Sequence, residues 1–172
     1  MIWPEASAVL KLHAEKASES NPDFAEAIID DEAGYVEELI GISLVALQTR
    51  IRRIVNGSKD FGIEAMDIGA EFSGTGKTLI RLIWDAANYY KHRDEWTAEV
   101  WEDTATSDRW LEQARRTRRS VQTIGIEQSS TGNLRTAYDF FGVAPYSNCR
   151  HLAEQVQQCA EAVYAKCANE PS

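Results

Sequence analysis

The stretch T78LIRLIWDAANYYKHRDEW96 decides the fold. Leu79, Ile80, Leu82, Ile83, Ala86, Ala87 and Tyr90 recur at intervals of three and four, a spacing that gathers apolar side chains onto one side of a helix. The stretch is therefore read as a central helix over about 76–96. At about 100° per residue, Arg81, Asp85, Asn88, His92 and Glu95 form one row on the opposite side, flanked by Trp84, Tyr89, Lys91 and Trp96. Solvation accounts for most polar rows of this kind. Large aromatics beside polar groups are, however, what a concave site or a partner surface uses.

Upstream, residues 57–75 are punctuated by Gly57, Gly62, Gly69 and Gly74, yet Phe61, Ile63, Met66, Ile68 and Phe72 are too apolar for a loose linker. A connection of that length inside a domain is expected to pack down, to hold a short helix or to cover a site. Within it, SGTGKT at 73–78 invites a phosphate-loop reading, but position 71 is Glu71 where that motif needs glycine, and no strand precedes it. Ser73 or Thr75 is read instead as the cap of the central helix.

Further upstream, Val36, Ile40, Leu44, Leu47, Ile51 and Ile54 step by four, four, three, four and three, the near-heptad rhythm of a helix lying along a partner helix. Asn21 suits its cap and Pro22 its first position; Asn56 and Gly57 suit its end, with Arg50, Arg52 and Arg53 in the closing turns. Gly34 and Gly41 are positions where it could bend. A short N-terminal helix with Trp3, Val9 and Leu10 is expected before it, and His13 is given no role.

Downstream, residues 97–106 continue as helix or turn, and a helix over about 107–123 carries Trp110, Leu111, Ala114 and Val121 together with Arg109, Arg115, Arg116, Arg118 and Arg119. Five arginines on one helix either pair with the acidic N-terminal helices or form a phosphate-binding strip, since the guanidinium fork matches phosphate oxygens. Leu134, Ala137, Tyr138 and Phe141 mark a short helix stopped by Gly142 and Pro145. Ser147 is read as the cap of a last helix with Leu152, Val156, Cys159, Val163 and Cys167 on one side and a lone His151. With no β-alternation and no repeats, the expected architecture is an all-α, single-domain helical bundle of five to seven helices over residues 1–172.

Composition narrows the function classes. The 172 residues suffice for one core, and no apolar run is long enough to span a bilayer. The N-terminus lacks the basic start and apolar centre of a signal peptide, so a soluble, cytoplasmic protein is expected, with no membrane contact. Cys149, Cys159 and Cys167 show no CxxC spacing and are expected to be reduced, small core residues; no cofactor and no metal are expected. The net charge of −9 is uneven: residues 1–48 hold ten acidic and two basic side chains, whereas 76–119 hold nine basic and eight acidic. Any nucleic-acid contact would have to use the Arg-rich middle, or else the acidic part faces a basic partner.

The residues A87NYYKH92 resemble the signature of the HEPN superfamily, all-α proteins many of which are metal-independent ribonucleases of toxin and defence systems. The family motif is an arginine, commonly followed by a polar residue, about one helical turn before a histidine, and two copies meet across a dimer. Asn88 matches the polar position and His92 the histidine; position 87, where the arginine would stand, is alanine. An imidazole can take a proton from a ribose 2′-hydroxyl and return one to the leaving oxygen near neutral pH. Arg81 could stabilise the phosphorane charge, but eleven residues separate it from His92, about 16 Å along a helix, so only an antiparallel dimer crossing near Ala86 and Ala87 would bring the two together.

Three readings follow. The first is a metal-independent endoribonuclease with His92, Asn88 and Arg81 as catalytic residues and Lys91, Arg115, Arg116, Arg118 and Arg119 holding RNA. The second is a non-catalytic interaction protein of the same architecture, acting as a homodimer or on a partner. The third is an acidic, immunity or antitoxin-like protein that masks a basic protein partner with the surface around residues 23–38.

Overall fold

The computed structural model describes residues 22–57, 62–128, 132–143 and 150–169, with side chains from Gly34 to Lys166. Among these residues the structure is an all-α bundle without strands. The N-terminal helix around Trp3 to Leu10, the caps read at Asn21 and Ser147, and Pro145, Cys149 and the side chain of Cys167 lie outside the described residues.

Helix α1 runs unbroken from Pro22 to Gly57. Its near-heptad stripe is the spine of the core: Ile40, Leu44, Leu47, Ile51 and Ile54 are buried, and Val36 is packed against them. Burying each such side chain contributes about 1.5–3 kcal/mol. Gly41 lies inside this uninterrupted helix. It lies under the Tyr90 ring, where a Cβ would collide, so the missing side chain sets how closely the two helices approach.

Residues 62–78 pack down in part: Thr78 is buried and Ile68 and Phe72 are half-buried, whereas Ile63 is 56% exposed. A 3₁₀ turn, Gly62–Asp67, buries Ala65 and Met66. SGTGKT forms a tight loop in which Ser73, Gly74 and Gly76 take positive φ, and the Phe72 N–H donates to the Lys77 carbonyl at 2.8 Å. The Glu71 carboxylate accepts the Gly76 N–H at 2.9 Å, so a backbone donor that a phosphate loop would offer to its ligand is engaged within the loop. The helix cap is neither Ser73 nor Thr75, whose hydroxyl turns back to the Phe72 carbonyl at 2.7 Å. It is Thr78: its hydroxyl accepts the Arg81 N–H at 3.2 Å and donates to the Met66 carbonyl, which ties the helix start to the 3₁₀ turn.

Helix α2, Leu79–His92, is the central element, and a 3₁₀ turn, Arg93–Glu95, follows it. Then come a single turn α3, Ala98–Trp101, and α4, Arg109–Gln122, whose Asp108 cap accepts the N–H groups of Trp110 and Leu111 at 2.8 and 3.2 Å. Helix α5, Asn133–Phe140, buries Leu134, Ala137 and Tyr138 and ends before Gly142 at φ 71°; α6 is Arg150–Asn169. Helix α2 lies between α1 and α4, while α5 and α6 pack along α1. Beside the main core, Val100, Leu111 and Ala114 form a satellite cluster joined to it through Trp96 and Trp101. No helix among the described residues is long and apolar enough to cross a membrane.

Candidate functional site

The polar row of α2 does not run along an open surface. Its first half is covered by α4 and its second half is not. Arg81 is held in a two-point ion pair by Asp67, Nε to Oδ1 at 2.9 Å and a terminal nitrogen to Oδ2 at 2.6 Å, and it also reaches the Ile63 carbonyl at 3.3 Å. The pair pushes the guanidinium pKa up and fixes its direction, away from the far end of the helix. Asp85 is 8% exposed, against α4. Burial raises its pKa to about 6, with Ser120, Arg81 and Lys77 opposing that shift and Asp67 adding to it. Ala86 and Ala87, on the apolar side of the helix, have no exposure. Within one chain Arg81 and His92 stand at opposite ends of the helix, Arg81 engaged by Asp67.

The second half has different company. Asn88 accepts a hydrogen bond from the Gln48 amide at 2.8 Å, and the same amide donates to the Trp84 carbonyl at 3.2 Å. Arg52 of α1 stands over the Trp84 ring at 5.8 Å, and Lys91 is lowered in pKa first by burial of its stem and then by the nearby Arg52 charge. Arg52 therefore contacts a half-buried indole and lies near a second cation, Lys91. At the helix end His92 is exposed, its Nδ1 3.2 Å from the Glu95 carboxylate. Around the corner Glu38 receives the Tyr90 hydroxyl at 2.6 Å and pairs with Arg93, which lies over the Tyr90 ring at 5.0 Å. The Tyr90 hydrogen bond and Arg93 together hold the Glu38 carboxyl below its ordinary pKa.

The arginines of α4 divide in the same way. Arg115 and Arg118 are 4% and 3% exposed. Arg115 donates to the Glu99 carbonyl at 2.8 and 3.0 Å, to the Thr104 hydroxyl at 2.8 Å and to the Thr104 carbonyl; Arg118 donates to the Trp101 carbonyl at 2.6 Å and pairs with Asp103. They clamp the irregular segment after α3. Neither a phosphate strip nor pairing with α1 describes them. Arg116 pairs with Glu112 on its own helix, and Arg119 approaches Asp103 at 3.6 Å; both are exposed. Of the five side chains read as RNA-holding, Lys91, Arg116 and Arg119 face outward.

Two residues of α1 complete the second half: Gln48, not singled out from sequence, and Arg52, placed there only as a cation of the closing turns. Gln48 was detectable, since it interrupts a buried stripe between Leu47 and Ile51. Among the described residues, no three His, Cys, Asp or Glu side chains cluster as a metal ion would require. His151 is exposed on α6, and Cys159 is half-buried, its thiol pKa raised by burial. No protein-family model, curated protein or solved structure matches the chain.

Proposed function

We propose that this chain is a non-catalytic interaction protein of HEPN-like architecture that holds an RNA strand at the second half of α2 without cutting it. The observation that carries this reading is Ala87. It stands at the motif's arginine position and is fully buried, so an arginine there could not reach a phosphate in solvent without breaking the core. The other cation of the row, Arg81, is committed to Asp67. His92 keeps a carboxylate partner, a fit orientation for acid or base work, but the neighbouring guanidinium, that of Arg93, is engaged by Glu38 and the Tyr90 ring instead of standing ready to meet the charge of a phosphorane.

Binding asks for less than catalysis does. Arg52 over the Trp84 indole, with Lys91 near it, combines backbone-neutralising charge with a ring on which a base can stack once the guanidinium swings from the ring to a phosphate, the pairing used by single-strand binders. The test is labelled single-stranded RNA incubated with the protein and a chelator at low salt. Intact RNA bound in a salt-sensitive complex, weakened at least tenfold by Arg52→Glu with Lys91→Glu, is expected. Chelator-resistant cleavage that disappears in His92→Ala would overturn the reading in favour of an endoribonuclease, and absence of any complex at low salt would remove RNA as the partner.

A further inference from the structure

Helix α1 is 36 residues long, about 54 Å at 1.5 Å per residue, against 14 residues for α2. Its inward stripe is covered by α2, α5 and α6. A second apolar line runs along its outward side: Tyr35, Leu39, Ile42 and Ala46 follow at steps of four, three and four. Tyr35 and Ile42 are 58% and 57% exposed, Ala46 is exposed and Leu39 half-buried. Scattered exposed apolar side chains are ordinary, but four in heptad succession on one helix form the seam of a helix–helix contact.

The charge pattern of α1 indicates what covers that seam. Residues 22–38 carry seven carboxylates and no lysine or arginine, whereas 39–57 carry Arg50, Arg52 and Arg53 and no carboxylate. The helix dipole favours this polarity only within the first and last turns, and Asp30, Asp31 and Glu32 lie beyond the first. Two parallel copies would set like charge beside like. Two antiparallel copies, related by a two-fold between Ile40 and Gly41, set the acidic half of each against the basic half of the other. In that register Leu39 faces Ile42 of the second copy and Tyr35 faces Ala46, a large ring against a small side chain. Arg53 lies on the same line, where it meets the acidic half of the other α1.

We infer that the chain forms an antiparallel homodimer through the outward face of α1; its seam uses neither Trp84 nor Lys91, and Arg52, the cation of α1 in the RNA-holding patch, is turned toward Trp84 and off that seam. Light scattering on the full chain at tens of micromolar then gives twice the 19.3 kDa chain mass. Ile42→Glu gives a monomer with an unchanged circular dichroism spectrum. Arg53→Glu weakens the dimer at least tenfold, and adding Asp31→Lys to it restores the dimer, which a merely misfolded variant would not do. A wild-type monomer at that concentration overturns the inference, as does a dimer indifferent to Ile42→Glu. A monomer in which Ile42→Cys is protected from thiol reagents overturns it in favour of the chain's own preceding segment as the cover.

Discussion

The two halves of α2 carry the same kinds of side chain and use them in opposite ways. In the first half a cation and a carboxylate, Arg81 and Asp85, are enclosed by the 3₁₀ turn and α4, where they organise the fold. In the second, Asn88, Lys91 and His92 stand beside α1 residues at a boundary that solvent reaches. Periodicity makes one row of Arg81, Asp85, Asn88, His92 and Glu95, with Lys91 at its flank; the neighbouring helix divides it. The same division appears on α4, where Arg115 and Arg118 are internal fasteners and Arg116 and Arg119 are surface charges. A polar side chain on these helices is thus structural or available according to what lies over it.

That contrast can be broken most severely at Arg115. Arg115→Ala removes a buried guanidinium with its hydrogen bonds to Glu99 and Thr104, whose freed acceptors sit on exposed residues, and is expected to lower the unfolding free energy by about 1–3 kcal/mol in urea titration. One residue on, Arg116→Ala should change it by no more than about 0.5 kcal/mol. A comparable loss at both would erase the distinction. Arg81→Ala comes next: Asp67 is 56% exposed, so water replaces much of what the pair supplies, and a cost of about 1 kcal/mol is expected from the same titration. The smallest effect is expected at His92→Ala, within about 0.5 kcal/mol in thermal or urea unfolding, because its imidazole and its Glu95 partner are both exposed. A loss above 2 kcal/mol there would show that the helix end is built into the core after all.

The helices themselves were legible from period alone. The stripes of α1, α2 and α5 recur in the structure at the positions their spacing implies, because each stripe packs against a neighbouring helix; the exceptions are on α2, where Tyr90 is half-buried and Tyr89, read beside the polar row, is buried. What period could not convey was the identity of that neighbour. Asp85 sits opposite the apolar side of α2 and so looks solvated, yet α4 arrives from more than twenty residues downstream to cover it. Arg115 and Arg118 did carry a signal: they fall four and seven residues after Leu111, on the same side as that apolar residue, whereas Arg116 and Arg119 fall off it. The cap at Thr78 was hidden for a local reason. Ser73 and Thr75 have the right chemistry, but the positive φ angles of Ser73, Gly74 and Gly76 turn the chain once more before the helix can start.

The division of α2 is tested most directly by comparing wild type and Asp85→Asn in urea unfolding across pH 4 to 8. The folded-state pKa of Asp85, about 6, lies above its value of 3.8 in an unstructured chain, so as pH rises through that window the unfolded state ionises first and wild type loses stability relative to the asparagine variant. Because Asp85 is almost wholly enclosed, the gap should open between pH 4 and 6 and level off above pH 7 at about 2–3 kcal/mol in favour of Asp85→Asn. Stability curves that stay parallel over the whole range would mean that Asp85 is solvated, that α4 does not cover this face, and that the row along α2 is undivided.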